Sequence, residues 1–426
     1  MNILIKSAKI IDPNSKYHNK TRDILIKNGT IKKIRKNIIE DKTKIYKEKN
    51  LHISPGWFDL HVNFGEPGYE ERETFKTGID AAINGGFTGV MIMPNTNPKI
   101  DNKNMIEYVH NQSKSSIIDL FAAGNITKAG KQDQIVEMHD MKNAGCLAFT
   151  NDKQSINNNE VLKIAMLYSK DCNTVIMNFP NDHSLSKHGQ VNEGDISTLL
   201  GLKGIPKLAE TIMLDRDISM CEYTNSKLHL SYISTQESVN KLKRAKSNKL
   251  NITADVPLHN LFLTEDKIHD FDTRYKVMPP LRTLKDNEAL IKGLKDNIID
   301  VISTDHTPQN EENKKSEFDK SEFGIIGLET AFGLIGKYIL PKIELSQIIE
   351  KIAINPRKIL NTPQVVIEEG EYANLTCFNP KLKWKLQEKD IRSKSKNTPF
   401  IGEELIGKAL AIYNKNKFIE CKLSKK

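Results

Sequence analysis

The chain has 426 residues and a formal net charge of +9. Hydrophobic residues make up 38% and charged residues 27%, which excludes a disordered polyelectrolyte and suits a large barrel with an added domain. No run approaches the ~18 apolar residues that would span a bilayer, and the lysines are spread along the chain without the compact basic-aromatic motif of a nucleic-acid binder.

Residues 3–11 alternate enough to predict a strand, ended by Asp12-Pro13. Residues 23–34 predict a hairpin about Asn28-Gly29. The first fifty residues therefore form a small β unit. From Leu51 onward the pattern changes. Short apolar runs at 90–93, 117–123, 146–149, 175–177, 228–231, 251–254 and 301–303 alternate with helical stretches such as 74–84 and 236–246. Such alternation predicts a parallel sheet. Polar residues follow several runs closely: His61, Asn95, Asp152, Asp255 and Asp305. An α/β barrel carries its active site at these strand ends. Residues 309–320, rich in Asn, Glu and Lys, are expected to be disordered. Beyond 363 the pattern returns to β, with strands expected in 369–378, 405–413 and 418–423.

The predicted fold class is α/β, a (β/α)8 TIM-type barrel over 53–361. Residues 1–52 and 362–426 are expected to join in one small β-sandwich. The apolar run at Met1-Asn2-Ile3-Leu4-Ile5-Lys6 is too short for a signal peptide. Cys146, Cys172, Cys221, Cys377 and Cys421 form no Cys-x-x-Cys pair and read as reduced, mostly buried thiols of a cytoplasmic protein.

The stretch Pro55-Gly56-Trp57-Phe58-Asp59-Leu60-His61-Val62-Asn63 organises the chain. Residues two apart on a strand face the same side, so His61 and Asn63 project together. A histidine pair so placed would hold a metal economically, and here the second member is Asn63. Further motifs are Pro67-Gly68, Glu73, Thr77-Gly78, Gly85-Gly86-Phe87-Thr88 and Met93-Pro94-Asn95-Thr96. Later ones are Pro279-Pro280-Leu281-Arg282, Thr304-Asp305-His306-Thr307-Pro308, Gly327-Leu328-Glu329-Thr330 and Asn397-Thr398-Pro399-Phe400. Together, over nearly the whole chain, they resemble dihydroorotases of the long, bacterial type, within the amidohydrolase superfamily.

The resemblance implies zinc held by a carboxylate and four histidines, with a further aspartate that binds metal and moves the proton. Zinc would acidify water and polarise the amide carbonyl. His61 and Asp305 match that pattern, and Asp152 keeps the second acid of Phe149-Thr150-Asn151-Asp152. Asn63, Phe179 and Tyr232 stand at positions where the family has histidine. Gly65 stands for the arginine that would clamp the substrate carboxylate, Met278 for an asparagine and Gln309 for a histidine. Phenylalanine cannot ligate a metal, and tyrosine would have to lose a proton from a pKa of about 10. The metal reading is therefore one weak site at His61, Asp152 and Asp305, with Asn63 possible. The preferred reading makes these residues hydrogen-bonding groups in a filled barrel mouth, with no cofactor; the alternative is one divalent metal such as zinc. If the protein is active, Asp305 is catalytic and Asn95 binds substrate. His229, three before Tyr232, reads as a core or supporting residue, and His306 as a prop for the strand end.

The resemblance further implies a place in pyrimidine biosynthesis. With the site so altered, the expected role is that of a scaffold or regulatory partner of aspartate carbamoyltransferase, with little or no catalysis. A cytoplasmic homo-oligomer is expected, with no nucleic acid or membrane as partner. The alternative is an active single-metal dihydroorotase or a related cyclic amide hydrolase.

Overall fold

The computed structural model describes residues 2–421. Eight parallel strands pair in chain order: Trp57–Val62, Phe87–Ile92, Asp119–Gly124, Ala148–Phe149, Val175–Asn178, Leu228–Leu230, Ile252–Pro257 and Val301–Ser303. Helices follow the strands on the outside. Both faces of each strand are covered, so the first strand is buried along its whole length. The ring closes between its first and last members. Val62 bridges to His306, and Asn63 donates its backbone N–H to the His306 carbonyl at 2.9 Å. Asp59, inside the first strand, accepts the Thr304 N–H at 3.2 Å and also its hydroxyl, clasping the last strand.

The first barrel helix, Phe75–Gly85, shows how local sequence sets the boundaries. Thr74 caps it, accepting the Thr77 N–H at 3.2 Å. Gly86 ends it with φ 90°, a left-handed conformation that a side chain would strain. Phe75, Gly78, Ala81, Ala82 and Gly85 face inward at helical spacing.

Both chain ends contribute to one eight-stranded sheet. Asn28 (φ 50°) and Gly29 (φ 80°) make the tight turn between Thr21–Lys27 and Thr30–Arg35. His52–Pro55 lies between Ile3–Ile10 and Leu375–Lys385, so the two ends of the chain meet across it. The sheet branches at Ile3–Ile10, whose first residues pair with Lys44–Tyr46 and whose last pair with His52–Pro55. It has its own apolar core, built from Ile5, Ile26, Leu375 and Tyr413 among others. The strand expected at 418–423 runs over Lys417–Glu420; its end at Leu423, like Met1, lies outside the described residues.

Two segments cap the barrel. The connection between Leu375–Lys385 and Glu404–Asn414 leaves the sheet and reaches the mouth. There Lys394 donates its N–H to Glu73 at 2.9 Å, and Asn397 donates to the Thr307 carbonyl at 3.1 Å. Residues 309–320 are ordered, contrary to the expectation from their composition. Glu311–Lys314 is helical, Lys314 donates to the Glu322 carbonyl at 2.9 Å, and Lys276 donates to the Phe318 carbonyl at 2.7 Å. Buried ammonium groups thus pin a segment that hydropathy reads as solvated. Among the described residues no helix is long and apolar enough to cross a membrane, and all five cysteines are free.

Candidate active site at the barrel mouth

Three buried groups join at the inner end of the mouth. His61 donates from Nε2 to Asp255 at 2.8 Å, and His229 donates from Nε2 to the same oxygen at 2.9 Å. The other Asp255 oxygen accepts the Ser303 hydroxyl at 2.8 Å. Burial by itself would push the Asp255 carboxyl up, but the two histidines outweigh it and hold the acid well below its ordinary range. Burial likewise opposes the charged form of His61, and Asp255 more than compensates, so His61 is held above its usual value.

Nearer the opening, three strand ends place residues in the left-handed region: Asp152 (φ 52°), Tyr232 (φ 60°) and Asp305 (φ 49°). Non-glycine residues occupy that region at a cost, and such strain gathers at functional sites. Tyr232 donates its hydroxyl to Asp152 at 2.8 Å. Asn95 donates to the other Asp152 oxygen and to Asn63 Oδ1, the latter at 3.0 Å. Phe179 and Tyr232 are buried and meet edge to face, with ring centroids 5.8 Å apart. Burial and the surrounding carboxylates raise the Tyr232 hydroxyl well above the ordinary tyrosine value.

Asp305 is buried and paired with Lys153, whose Nζ lies 2.7 Å from Oδ1. Burial holds its pKa up at about 6 despite that cation. The Lys153 ammonium also lies 4.9 Å from the centre of the Tyr232 ring. His259 Nε2 approaches Asp305 at 3.9 Å and has no hydrogen-bond partner; burial holds this imidazole down to about 3, hence neutral.

Each sequence-predicted residue therefore reaches the mouth, but His61, Asp152 and Asp305 do not converge as one ligand set. His61 turns to Asp255, Asp152 is engaged by Tyr232 and Asn95, and Asp305 by Lys153. Asn63 is tied to Asn95 and to the Thr307 hydroxyl. Among the described residues, the group of His, Cys, Asp and Glu able to hold a metal is His61, His229 and Asp255, with ligand atoms all within 4.8 Å of one another. A two-zinc centre does not fit these residues. Phe179 offers no donor, the Tyr232 hydroxyl is given to Asp152, and an ammonium already neutralises Asp305.

Sequence reasoning missed Lys153, which directly follows Asp152 but lies outside the quoted motifs. It noted Asp255 only as a strand-end residue. It also missed the cations that surround Gly65. A cavity of about 240 Å³ opens there, and Arg72, Lys99 and Lys153 are in its wall beside Asn63, Asn95 and Thr307. Gly65 itself has φ 73°, and a Cβ would lie 2.6 Å from the Tyr69 carbonyl oxygen.

Comparison with known proteins agrees with this architecture. Residues 51–238 match the family model described as "Dihydro-orotase-like". A protein named "Dihydroorotase" from Caldicellulosiruptor saccharolyticus is 41% identical over 410 residues, covering 95% of each chain. One of the same name from Geobacter metallireducens is 37% identical over 412 residues, covering 96% of this chain and 97% of that one. Among solved structures, the L-hydantoinase (dihydropyrimidinase) from Arthrobacter aurescens superposes with a TM-score of 0.86 at 18% identity. It covers 98% of this chain and 96% of its own, a likeness of fold. Identity of this order, sustained from one end of the chain to the other, means that the protein belongs to the dihydroorotase family.

Proposed function

We propose that this protein serves pyrimidine biosynthesis with little or no hydrolytic activity of its own, as a cytoplasmic homo-oligomer that scaffolds or regulates aspartate carbamoyltransferase. The observation that carries the non-catalytic reading is the Lys153 ammonium, 2.7 Å from Asp305. A fixed cation at that carboxylate repels a metal ion and occupies the group expected to move the proton. The two aromatic side chains at Phe179 and Tyr232 support it further. They take space at a mouth where family members are expected to carry histidine. The pathway assignment rests on the names of the relatives. The scaffold role is supported by the intact barrel and two-ended sheet around an altered site.

A second reading keeps one observation in its favour. The ligand atoms of His61, His229 and Asp255 lie close enough to take one divalent ion, which would suit a single-metal dihydroorotase or a related cyclic amide hydrolase. The deciding experiment measures metal content and dihydroorotate ring opening on the purified full chain. Turnover abolished both by Asp305→Ala and by a chelator establishes the second reading. Absence of turnover, with co-elution and altered kinetics of aspartate carbamoyltransferase, is the outcome expected here.

A further inference from the structure

We infer that a cavity under the barrel floor, at the end opposite the mouth, binds a small organic monocarboxylate, and that Thr253 couples this site to His61 through His229 and Asp255. Such a site goes beyond the function proposed above, because it holds whether or not the mouth hydrolyses anything.

The interior of an α/β barrel is ordinarily filled by layers of branched apolar side chains. Here one column of it is polar. Thr253 and Asp255 lie two apart on Ile252–Pro257 and so share a face. His229 lies opposite Thr253 on the adjoining strand. The Thr253 hydroxyl donates to His229 Nδ1 at 2.8 Å. His229 and His61 then meet on one oxygen of Asp255. Hydrogen bonds thus run unbroken from near the start of one strand to His61, near the mouth end of Trp57–Val62. A buried polar column is costly unless each group in it is paired. Its outer end is open: Thr253 is half-buried and lies in the wall of a cavity of about 330 Å³.

That cavity lies between the first residues of Val175–Asn178 and Leu228–Leu230 and the helix Asn355–Ile359. Its wall is short of negative charge. Asp300 is the acid there, and Lys246 engages its two oxygens at 2.8 and 2.6 Å. Lys227 is half-buried and gives its ammonium to a neutral partner, the Asn173 amide oxygen, at 2.7 Å. The Lys358 ammonium has no hydrogen bond or ion pair among the described residues. Val175, Leu228 and Ile359 add an apolar surface. An anionic head on a small apolar body matches both parts of the wall. The same ligand explains the link to the column. A carboxylate only accepts, and a hydroxyl has one proton to give. A carboxylate oxygen that reaches Thr253 therefore draws the hydroxyl away from His229 Nδ1. His229 loses its outer anchor, and its hold on the Asp255 oxygen shared with His61 loosens.

The test uses the purified full chain with isotope-labelled histidine and three probes: benzoate, neutral benzamide and inorganic phosphate. In calorimetry benzoate should bind, more weakly as salt is added, and benzamide should not. Lys358→Met should weaken benzoate by about tenfold, whereas Lys99→Met, in the wall at the mouth, should leave it unchanged. Lys358 is exposed and its ammonium holds nothing in place, so its variant keeps the fold. Benzoate should shift the His229 Nδ1 resonance, assigned by its loss in His229→Gln. The shift should appear in the unmodified chain and in Thr253→Ser and be absent from Thr253→Val. Failure of benzoate to bind at ~10 mM, a range where even millimolar affinity would register, overturns the proposal. So does binding that Lys99→Met abolishes and Lys358→Met spares, or phosphate bound as tightly with the same response to Lys358→Met. A His229 shift that survives in Thr253→Val, or that the unmodified chain lacks, overturns it equally.

Discussion

Lys153 sits one residue past Asp152, and its ammonium decides the charge state of the mouth. Replacing it with methionine leaves Asp305 buried without its cation. Breaking a buried pair in this way costs about 3–5 kcal/mol when the remaining charge persists. Asp305 already titrates near 6 because of burial, above the ordinary aspartate value, and losing the cation raises it further. The folded state then binds the extra proton, so this loss is largest at neutral pH and shrinks as pH falls. Urea unfolding of Lys153→Met and the unmodified protein should show a stability gap at pH 7 that narrows at pH 5; a gap that widens there contradicts the assignment. A second residue-scale expectation concerns restoring the family motif. Asn63→His combined with Gly65→Arg should yield no dihydroorotate turnover, because Phe179, Tyr232 and Lys153 remain. It should also destabilise the protein. Gly65 has φ 73° and a backbone oxygen 2.6 Å from the added Cβ, so strain of about 1–3 kcal/mol is expected before the clash is counted. Circular dichroism melts of the double variant read this directly.

The segment after Thr307 behaves as an element because two lysines hold it. Burial lowers Lys314 to about 7 and Lys276 to about 8. An unfolded lysine titrates near 10.4. Between those values the unfolded chain binds more protons than the folded one, so this contribution makes stability rise as pH rises. Below pH 7 the cost of burying both charges is fully present. Each unit of depression corresponds to ~1.4 kcal/mol, so the rise from pH 7 to pH 9.5 should be measurable in the unmodified protein and smaller in Lys314→Met. A Lys314→Met curve parallel to the unmodified one would argue against this. The same substitution strips the Glu322 carbonyl of its donor. Limited proteolysis should then cut within residues 309–323 faster than in the parent, since local opening follows lost contacts.

At the scale of the molecule, barrel and sheet depend on one another. Asp12 accepts the Ile367 N–H at 2.8 Å, and Leu375 lies opposite Pro55 in the sheet. Glu73, beside the mouth, accepts the Lys394 N–H from the C-terminal segment. A chain ended after residue 361 loses Leu375–Lys385, one of the two partner strands of His52–Pro55, together with the cover over the mouth. It exposes an unpaired edge and an apolar face. Such a truncation should be insoluble or lack a cooperative melt, and a soluble product with a sharp transition would show that the barrel folds alone.

The sequence by itself determined the family, the barrel and most strand positions, because buried parallel strands read as apolar runs and the turns carry fixed chemistry. Asn28-Gly29 and Gly86 are legible for that reason: their backbone angles admit few other residues. The missing donors at Phe179 and Tyr232 were equally legible, since side-chain chemistry requires no coordinates. Tertiary structure decided the rest. Lys153 meets Asp305 across 152 positions of chain, and His61 meets Asp255 across 194. Arg72 and Lys99 reach the cavity beside Gly65 from neighbouring loops. Nothing in local pattern encodes such encounters: they follow from closing the barrel, which brings strand ends and loops distant in sequence to one mouth.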